Sequence, residues 1–286
     1  MTQRYYADVA TAFDRAAGSY ARDYASNPVM AWLGDDTFDR LCRLFPPGSR
    51  LLEIGCGTGE MALRLAEAGR AVVATDIAPG MVARAQDTAA TSPARDRLVW
   101  LATPAAEIGE LVAGPFAGAY SNLGALNCEP NLSEFVRSLA GLLAPGGAFL
   151  CSVMNRWCAW EIAWGLLHGR PREATRRLAR RKGWAPARMS AGEGQAPSII
   201  QVRYFTPGEF ASAFRAYFRV ETVLGYPVLI PPPYLAARFP GGPARLSSPE
   251  RRVHAWPGFR SLGDHFLLVL RRRDDRGEHS RGLSRT

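Results

Sequence analysis

A short apolar strand running straight into a glycine turn, Leu51-Leu52-Glu53-Ile54-Gly55-Cys56-Gly57-Thr58-Gly59, limits what this chain can fold into more than any other feature. Apolar residues at 51, 52 and 54 suit a central parallel strand buried on both faces, and Gly55, Gly57 and Gly59 let the backbone turn with no side chain between it and a ligand. Glu60 to Ala68 then reads as a helix. Strand, glycine turn and helix in that order are the context in which such a run signals a nucleotide-like cofactor. A second apolar run, Ala71-Val72-Val73-Ala74-Thr75, ends at Asp76, 17 positions after Gly59. An acid at the tip of the second strand is placed to accept hydrogen bonds from both hydroxyls of a ribose. Dinucleotide sites share that acid, but they want a further glycine inside the helix start to pack around a pyrophosphate. Here Glu60 follows and would face a pyrophosphate with the wrong charge.

The run from Glu53 to Glu60, followed by Ala74-Thr75-Asp76-Ile77-Ala78-Pro79-Gly80-Met81, resembles the class I, Rossmann-like S-adenosylmethionine (SAM) methyltransferases of the small-molecule, ubiquinone-biosynthesis-like kind. The resemblance covers roughly residues 10–154. It implies an α/β fold with a doubly wound, seven-stranded, mostly parallel sheet whose last strand inserts antiparallel beside the fifth. It implies SAM as cofactor and S-adenosylhomocysteine (SAH) as product. Carried over, Glu53 would steady the loop and the cofactor's amino group, Gly55, Gly57 and Gly59 would line its methionine and ribose, and Asp76 would hold the ribose. Cys56 sits among them as a small buried side chain. Ile77 and Met81 would flank adenine, although core packing accounts for those two equally well.

Two further positions carry the resemblance less cleanly. After the third strand, Leu98-Val99-Trp100-Leu101, the family often has Gly-Asp-Ala, the acid reading adenine's exocyclic amine. This chain has Thr103-Pro104-Ala105, which leaves backbone groups at Pro104 and Ala105 and the Thr103 hydroxyl for that contact. The fourth strand, Phe116 to Tyr120, leads into Ser121-Asn122-Leu123, expected under the methionine end. The Asn/Asp-Pro-Pro-Tyr run of amino-methylating DNA enzymes is missing there, and Pro231-Pro232-Pro233-Tyr234 lies too far downstream to replace it.

Around that core the chain divides as follows. Residues 1–48 read as a helical cap, with Phe13, Ala17, Tyr20 and Tyr24 at helical spacing and Pro46-Pro47-Gly48 as the stop; Tyr20 is expected against the methionine moiety. Residues 49–154 form the cofactor-binding core, and 155–198 an inserted lid. The lid pairs an apolar segment (Trp157, Trp160, Ile162, Trp164, Leu167) with a basic one (Arg170, Arg172, Arg176, Arg177, Arg180, Arg181, Lys182, Arg188) opposed only by Glu173, and closes with a flexible loop at 185–197. The basic segment is open to two readings: a solvated helix, or a cationic rim for a phosphorylated or carboxylated acceptor. From Ser198 the core is expected to resume, residues 199–270 carrying its last strands and a substrate-pocket insertion at 225–262. Residues 271–286 read as a disordered tail.

With 47% hydrophobic residues in 286, the chain can bury one large core. No apolar run approaches a membrane span and no signal peptide is evident, so a cytoplasmic enzyme is expected. The cysteines at 42, 56, 128, 151 and 158 lack metal or disulfide spacing, and no histidine and acid cluster suggests a metal. If the acceptor is an OH or NH its proton needs a base, for which His168, His254 and His265 are the candidates, His265 and His254 ahead of His168. Asp264 precedes His265, but neighbouring strand residues point to opposite faces, so a direct pair is not expected. The sequence therefore favours methyl transfer to a small, partly apolar metabolite, anionic if the arginines bind it. Modification of RNA or protein, motivated by the net charge of +9, is the second reading, and a scaffold that does no chemistry the third. No RNA-binding motif supports nucleic acid as a partner. The oligomeric state is not legible.

Overall fold

The computed structural model describes residues 2–178, 184–189 and 196–274. Two helices, α1 (Thr2–Ser26) and α2 (Pro28–Leu44), precede β1 (Arg50–Ile54), α3 (Glu60–Glu67), β2 (Ala71–Asp76), α4 (Pro79–Ala89), β3 (Leu98–Ala102), α5 (Ile108–Leu111), β4 (Phe116–Ser121), α6 (Leu132–Leu142) and β5 (Leu143–Met154). Then come α7 (Ala159–Leu167), α8 (Pro171–Ala174), β6 (Trp184–Met189), β7 (Ser198–Arg203), α9 (Pro207–Phe214), β8 (Phe218–Tyr226), α10 (Gly242–Val253) and β9 (His265–Arg272). Seven strands form one sheet in the order β3-β2-β1-β4-β5-β9-β8. The pairs from β3 to β5 are parallel, and β9 runs antiparallel to both β5 and β8. This is the doubly wound, mostly parallel sheet expected.

Both faces of the sheet are covered, which explains the continuous apolar strands. Leu51 packs with Leu33, Leu41 and Leu65 on one face, while Leu52 packs with Phe135, Leu139 and Phe149 on the other, and neither is exposed. Side chains alternate along a strand, so a strand buried on both sides must be apolar at every position. Across the carboxyl edge of this sheet lies α1, pinned where Asp14 Oδ1 accepts the Gly80 N–H at 2.6 Å at the start of α4.

The core does not resume at Ser198. β7 pairs antiparallel with β6 in a separate two-stranded sheet, whose apolar face (Ala185, Ile200, Val202, Tyr204) packs on Ala12 of α1. Ile200, Val202 and Tyr204 alternate with polar Gln201 and Arg203, the period of a strand with one buried face. The flexible loop expected from 185 is strand as far as Met189, an edge strand that tolerates Pro186 with its side chain outward. A long basic helix is absent from the described residues: α8 spans four residues, and Arg176 and Arg177 follow in turns. Arg180, Arg181 and Lys182 lie outside the described residues, as does 275–286 of the expected tail, whereas Arg271 and Arg272 continue β9. In the 225–262 segment, the buried Glu250 of α10 accepts the N–H groups of Val228, Leu229 and Ile230 at 2.8, 2.6 and 3.0 Å and so ties the helix to that loop.

Candidate functional site

At the carboxyl end of β1 the chain turns under tension from β2. Gly55 and Cys56 donate their N–H groups to Thr75 O at 2.7 and 2.9 Å. Gly57 adopts φ +54°, and a Cβ there would meet the Tyr20 ring at 3.4 Å; Gly59 adopts φ +86° and a Cβ would strike Ala85 and Trp100 at 2.7 Å. Only glycine takes both the conformation and the space. Asp76 closes the turn, with Oδ2 accepting Gly57 N–H and Oδ1 accepting Ala78 N–H, each at 2.9 Å. Burial raises the Asp76 pKa, opposed by those backbone donors. Each carboxylate oxygen keeps a free lone pair, enough for two ribose hydroxyls.

Two cavities flank this turn and meet at Gly55. One, of about 480 Å³, is lined by Asp76, Ile77, Thr103 and Ala105 from the strand ends, by Tyr6, Val9 and Phe13 of α1, and by Ala125, Cys128 and Glu129. The other, of about 530 Å³, is lined by Tyr20, Tyr24, Glu53, Cys56, Gly57, Glu60, Met61, Arg64, Asn122 and Leu123. Gly59, Met81, Pro104 and Ser121 line neither. Gly59 begins α3, Met81 is fully buried with Ala16, Ala17 and Ala78 between α1 and α4, and Ser121 is buried within β4. Core packing is thus what the structure shows for Met81. Sequence reasoning missed Tyr6, Val9, Phe13 and Glu129; the apolar stripe of α1 signalled the helix but not which of its residues meet the cavity.

Glu53 is the most unusual group here. It is 3% exposed, and its Oε2 makes no aligned hydrogen bond; the hydroxyl of neighbouring Tyr120, also without an aligned partner, lies close enough to oppose the rise of its pKa. Burial, with Glu60 and Asp76 adding like charge, pushes its pKa up to about 8. A buried carboxyl without a donor is costly unless a ligand supplies one. The ammonium and sulfonium of SAM are cations suited to that gap, so the residues present fit the cofactor. Facing Glu53 across the same cavity, Leu123 adopts φ +53°, a strained position for a non-glycine residue. Its N–H is held by Ser152 Oγ at 2.7 Å and Asn122 Oδ1 at 3.0 Å. Burial also pushes up the thiols of Cys56 and, to about 12, of Cys128, which removes both as nucleophiles near neutral pH.

His265 opens β9 behind this loop, where a Cβ on Gly124 would lie 3.6 Å from its Nε2, and it too is absent from the lining of both cavities. Contrary to the alternation argument, Asp264 does reach it, with Oδ2 2.9 Å from His265 Nδ1, although the atoms are not aligned for a hydrogen bond. Asp264 precedes the strand, where alternation does not hold. Its other oxygen receives Arg177 Nη2 at 2.5 Å, and Arg177 Nε pairs with Glu161 at 2.9 Å. Arg176 and Tyr234 also donate to Glu161, at 2.9 and 3.0 Å. Glu173 is therefore not the sole acid facing the arginines, and Arg176 and Arg177 are turned inward. Burial alone would raise the Asp264 pKa, but Arg177 and His265 outweigh it and hold the carboxyl well below the usual range. His254 is elsewhere. It caps α10 beside Arg40 and Asp36, lines neither cavity, and has its pKa lowered by burial and by Arg40. Among the described residues no three His, Cys, Asp or Glu side chains cluster as a metal ion requires.

Residues 51–147 match the family described as a methyltransferase domain. The chain is 44% identical over 170 residues to the malonyl-[acyl-carrier protein] O-methyltransferase of Serratia marcescens, covering 56% of this chain and 59% of that protein. It is 34% identical over 116 residues to the ubiquinone biosynthesis O-methyltransferase of Xanthomonas axonopodis pv. citri (strain 306), covering 40% and 46%. The chain thus spans about half the length of the relatives it matches. In structure it resembles the CcbJ methyltransferase of Streptomyces caelestis at 16% identity and a TM-score of 0.61, over 92% of this chain and 98% of that one, a likeness of fold. The sheet, the glycine turn and these matches converge: residues 51–147 match a methyltransferase domain, set in a chain with the class I methyltransferase fold.

Proposed function

We propose that this chain is an enzyme that moves the methyl group of SAM to a small, partly apolar metabolite. The observation that carries the reading is a third cavity, of about 900 Å³, that shares Tyr20 and Tyr24 with the Glu53 cavity and so adjoins the methionine end. Its walls include Ala16, Met30, Met189 and Pro233, contributed by α1, α2, β6 and the 231–238 loop. The rest of the lining is Ser19 and Asp23 of α1 and Arg188 of the inserted hairpin, the arginine exposed and without an ion pair among the described residues. That arginine favours an acceptor bearing a carboxylate or phosphate. Arg176 and Arg177 are committed to Glu161 and Asp264 and so do not stand free to grip nucleic acid. The cytoplasm is the compartment this reading implies. It is supported by five free cysteines and, among the described residues, no helix long and apolar enough to cross a membrane.

When bound, SAM supplies a methyl carbon already made electrophilic by a positive sulfur. The chain's task is alignment and shielding. Glu53 would hold the ammonium, Asp76 the ribose, and the strained Leu123 loop would support the reacting end, with α1 lying over the site. The cofactor would supply its methyl group to the acceptor's lone pair, sulfur keeping the C–S bonding pair, and for an OH or NH acceptor His265 Nε2 would take the proton. Asp264, 2.9 Å from Nδ1, then stabilises the imidazolium. Incubation with methyl-labelled SAM and a metabolite extract, followed by mass analysis, tests the proposal. A small product that gains the labelled methyl is expected; label found only in RNA or protein, or in nothing, would refute it.

A further inference from the structure

The cavity beyond Asp76 contains a second carboxylate, Glu129, set just past the loop that follows β4 and 4% exposed. Oε1 accepts the Tyr6 hydroxyl at 2.6 Å and the Asn131 N–H at 2.7 Å, whereas Oε2 accepts only the Ala106 N–H, at 3.2 Å. A carboxylate oxygen has two lone pairs, so Oε1 is filled and Oε2 retains one. Charge fixes which part of an adenosyl ligand meets it. The unpartnered Glu53 draws the ammonium to one side of Asp76, which sends the purine to the other, between the apolar side chains of Val9, Phe13, Ile54, Ile77 and Ala105. The ring nitrogens of adenine are acceptors, and its exocyclic amine is the donor that a buried acceptor can read.

We propose that Glu129 selects adenine against 6-oxopurines, its Oε2 accepting a hydrogen bond from the exocyclic amine. This rests on reading the two cavities as the SAM site. A 6-oxopurine would bring an oxygen against that lone pair on a carboxylate only 4% exposed, where an acceptor facing an acceptor is penalised.

Calorimetric titration with SAH and with its 6-oxo analogue, S-inosyl-L-homocysteine, decides the matter. The wild type is expected to bind SAH at least about tenfold more tightly. In Glu129→Gln the amide oxygen is needed by the two donors at the Oε1 position, which leaves the NH₂ where Oε2 was. The affinity ratio should then fall at least about tenfold, toward the analogue. Tyr6→Phe removes a donor from Oε1 alone and should keep the wild-type ratio. Equal affinity of the wild type for both ligands would overturn the proposal, and that result stands even if Glu129→Gln fails to fold. So would a Gln variant weakened equally toward both, the signature of a carboxylate that only clamps α1. Failure of the wild type to bind either ligand would instead remove the SAM reading itself.

Discussion

Two buried acids of this molecule, Glu53 and Glu161, are treated in opposite ways by the fold. Glu161 is 7% exposed and receives Arg176, Arg177 and Tyr234; burial alone would raise its pKa, but the two arginines win and lower it. Glu53 is as deeply buried and has an oxygen with no donor, so its pKa goes up to about 8. A network satisfied within the chain holds segments together. An acid left unsatisfied beside a glycine turn is a vacancy for a cation. The contrast separates architecture from binding site without reference to any relative.

The largest expected effect lies where the satisfied network ends. His265→Ala should lower the single-turnover methylation rate about a hundredfold to ten-thousandfold and leave SAH affinity alone, while His254→Ala should change neither quantity. Near-normal rates for His265→Ala between pH ~5.5 and ~8.5 would remove histidine catalysis from the account. Next is Arg177→Met, which leaves Asp264 and Glu161 short of a buried partner. Breaking such a pair costs about 3–5 kcal/mol, a fall in melting temperature of roughly 10 °C for a chain of this size. Glu53→Gln, by contrast, should leave the melting temperature unchanged or higher. Equal losses for the two variants would erase the distinction between them. Asp76→Ala should weaken SAH roughly tenfold to a hundredfold by titration calorimetry, the value of two lost hydrogen bonds. Smallest is Arg188→Ala, expected to raise the acceptor KM about fivefold with SAH affinity intact, in line with one exposed charge contact.

The same contrast marks how far the sequence could be read. Strand, glycine turn and second-strand acid are local in the chain, and each has a steric or electrostatic reason visible in a few residues, so the sheet and most of the loop lining were legible. Gly59, Met81, Pro104 and Ser121 were assigned to the cofactor from position alone, and position along the chain does not say which residues border a cavity. The inserted segment was misread for a different reason. Two of its arginines, Arg176 and Arg177, are taken up by Glu161, close by, and by Asp264, 87 positions from Arg177, a pairing that no periodicity encodes. That pairing also ties the insertion to the start of β9. Glu129 was invisible for a similar reason, since its partners Tyr6 and Ala106 come from α1 and the turn after β3.

The central claim, that Glu53 is the counter-charge the fold reserves for the cofactor's ammonium, is tested most directly by titrating SAH at pH ~7 in two buffers of different ionisation enthalpy. In the free protein Glu53, with a pKa of about 8, is protonated at that pH; pairing with the ammonium requires the carboxylate, so binding must expel the proton. The account predicts release of most of one proton by the wild type and an affinity that climbs with pH until about 8 and then levels. Glu53→Gln, which meets the same ligand amine, should bind more weakly and report only the ligand's own titration. Equal affinity and equal proton exchange for the two proteins would contradict it.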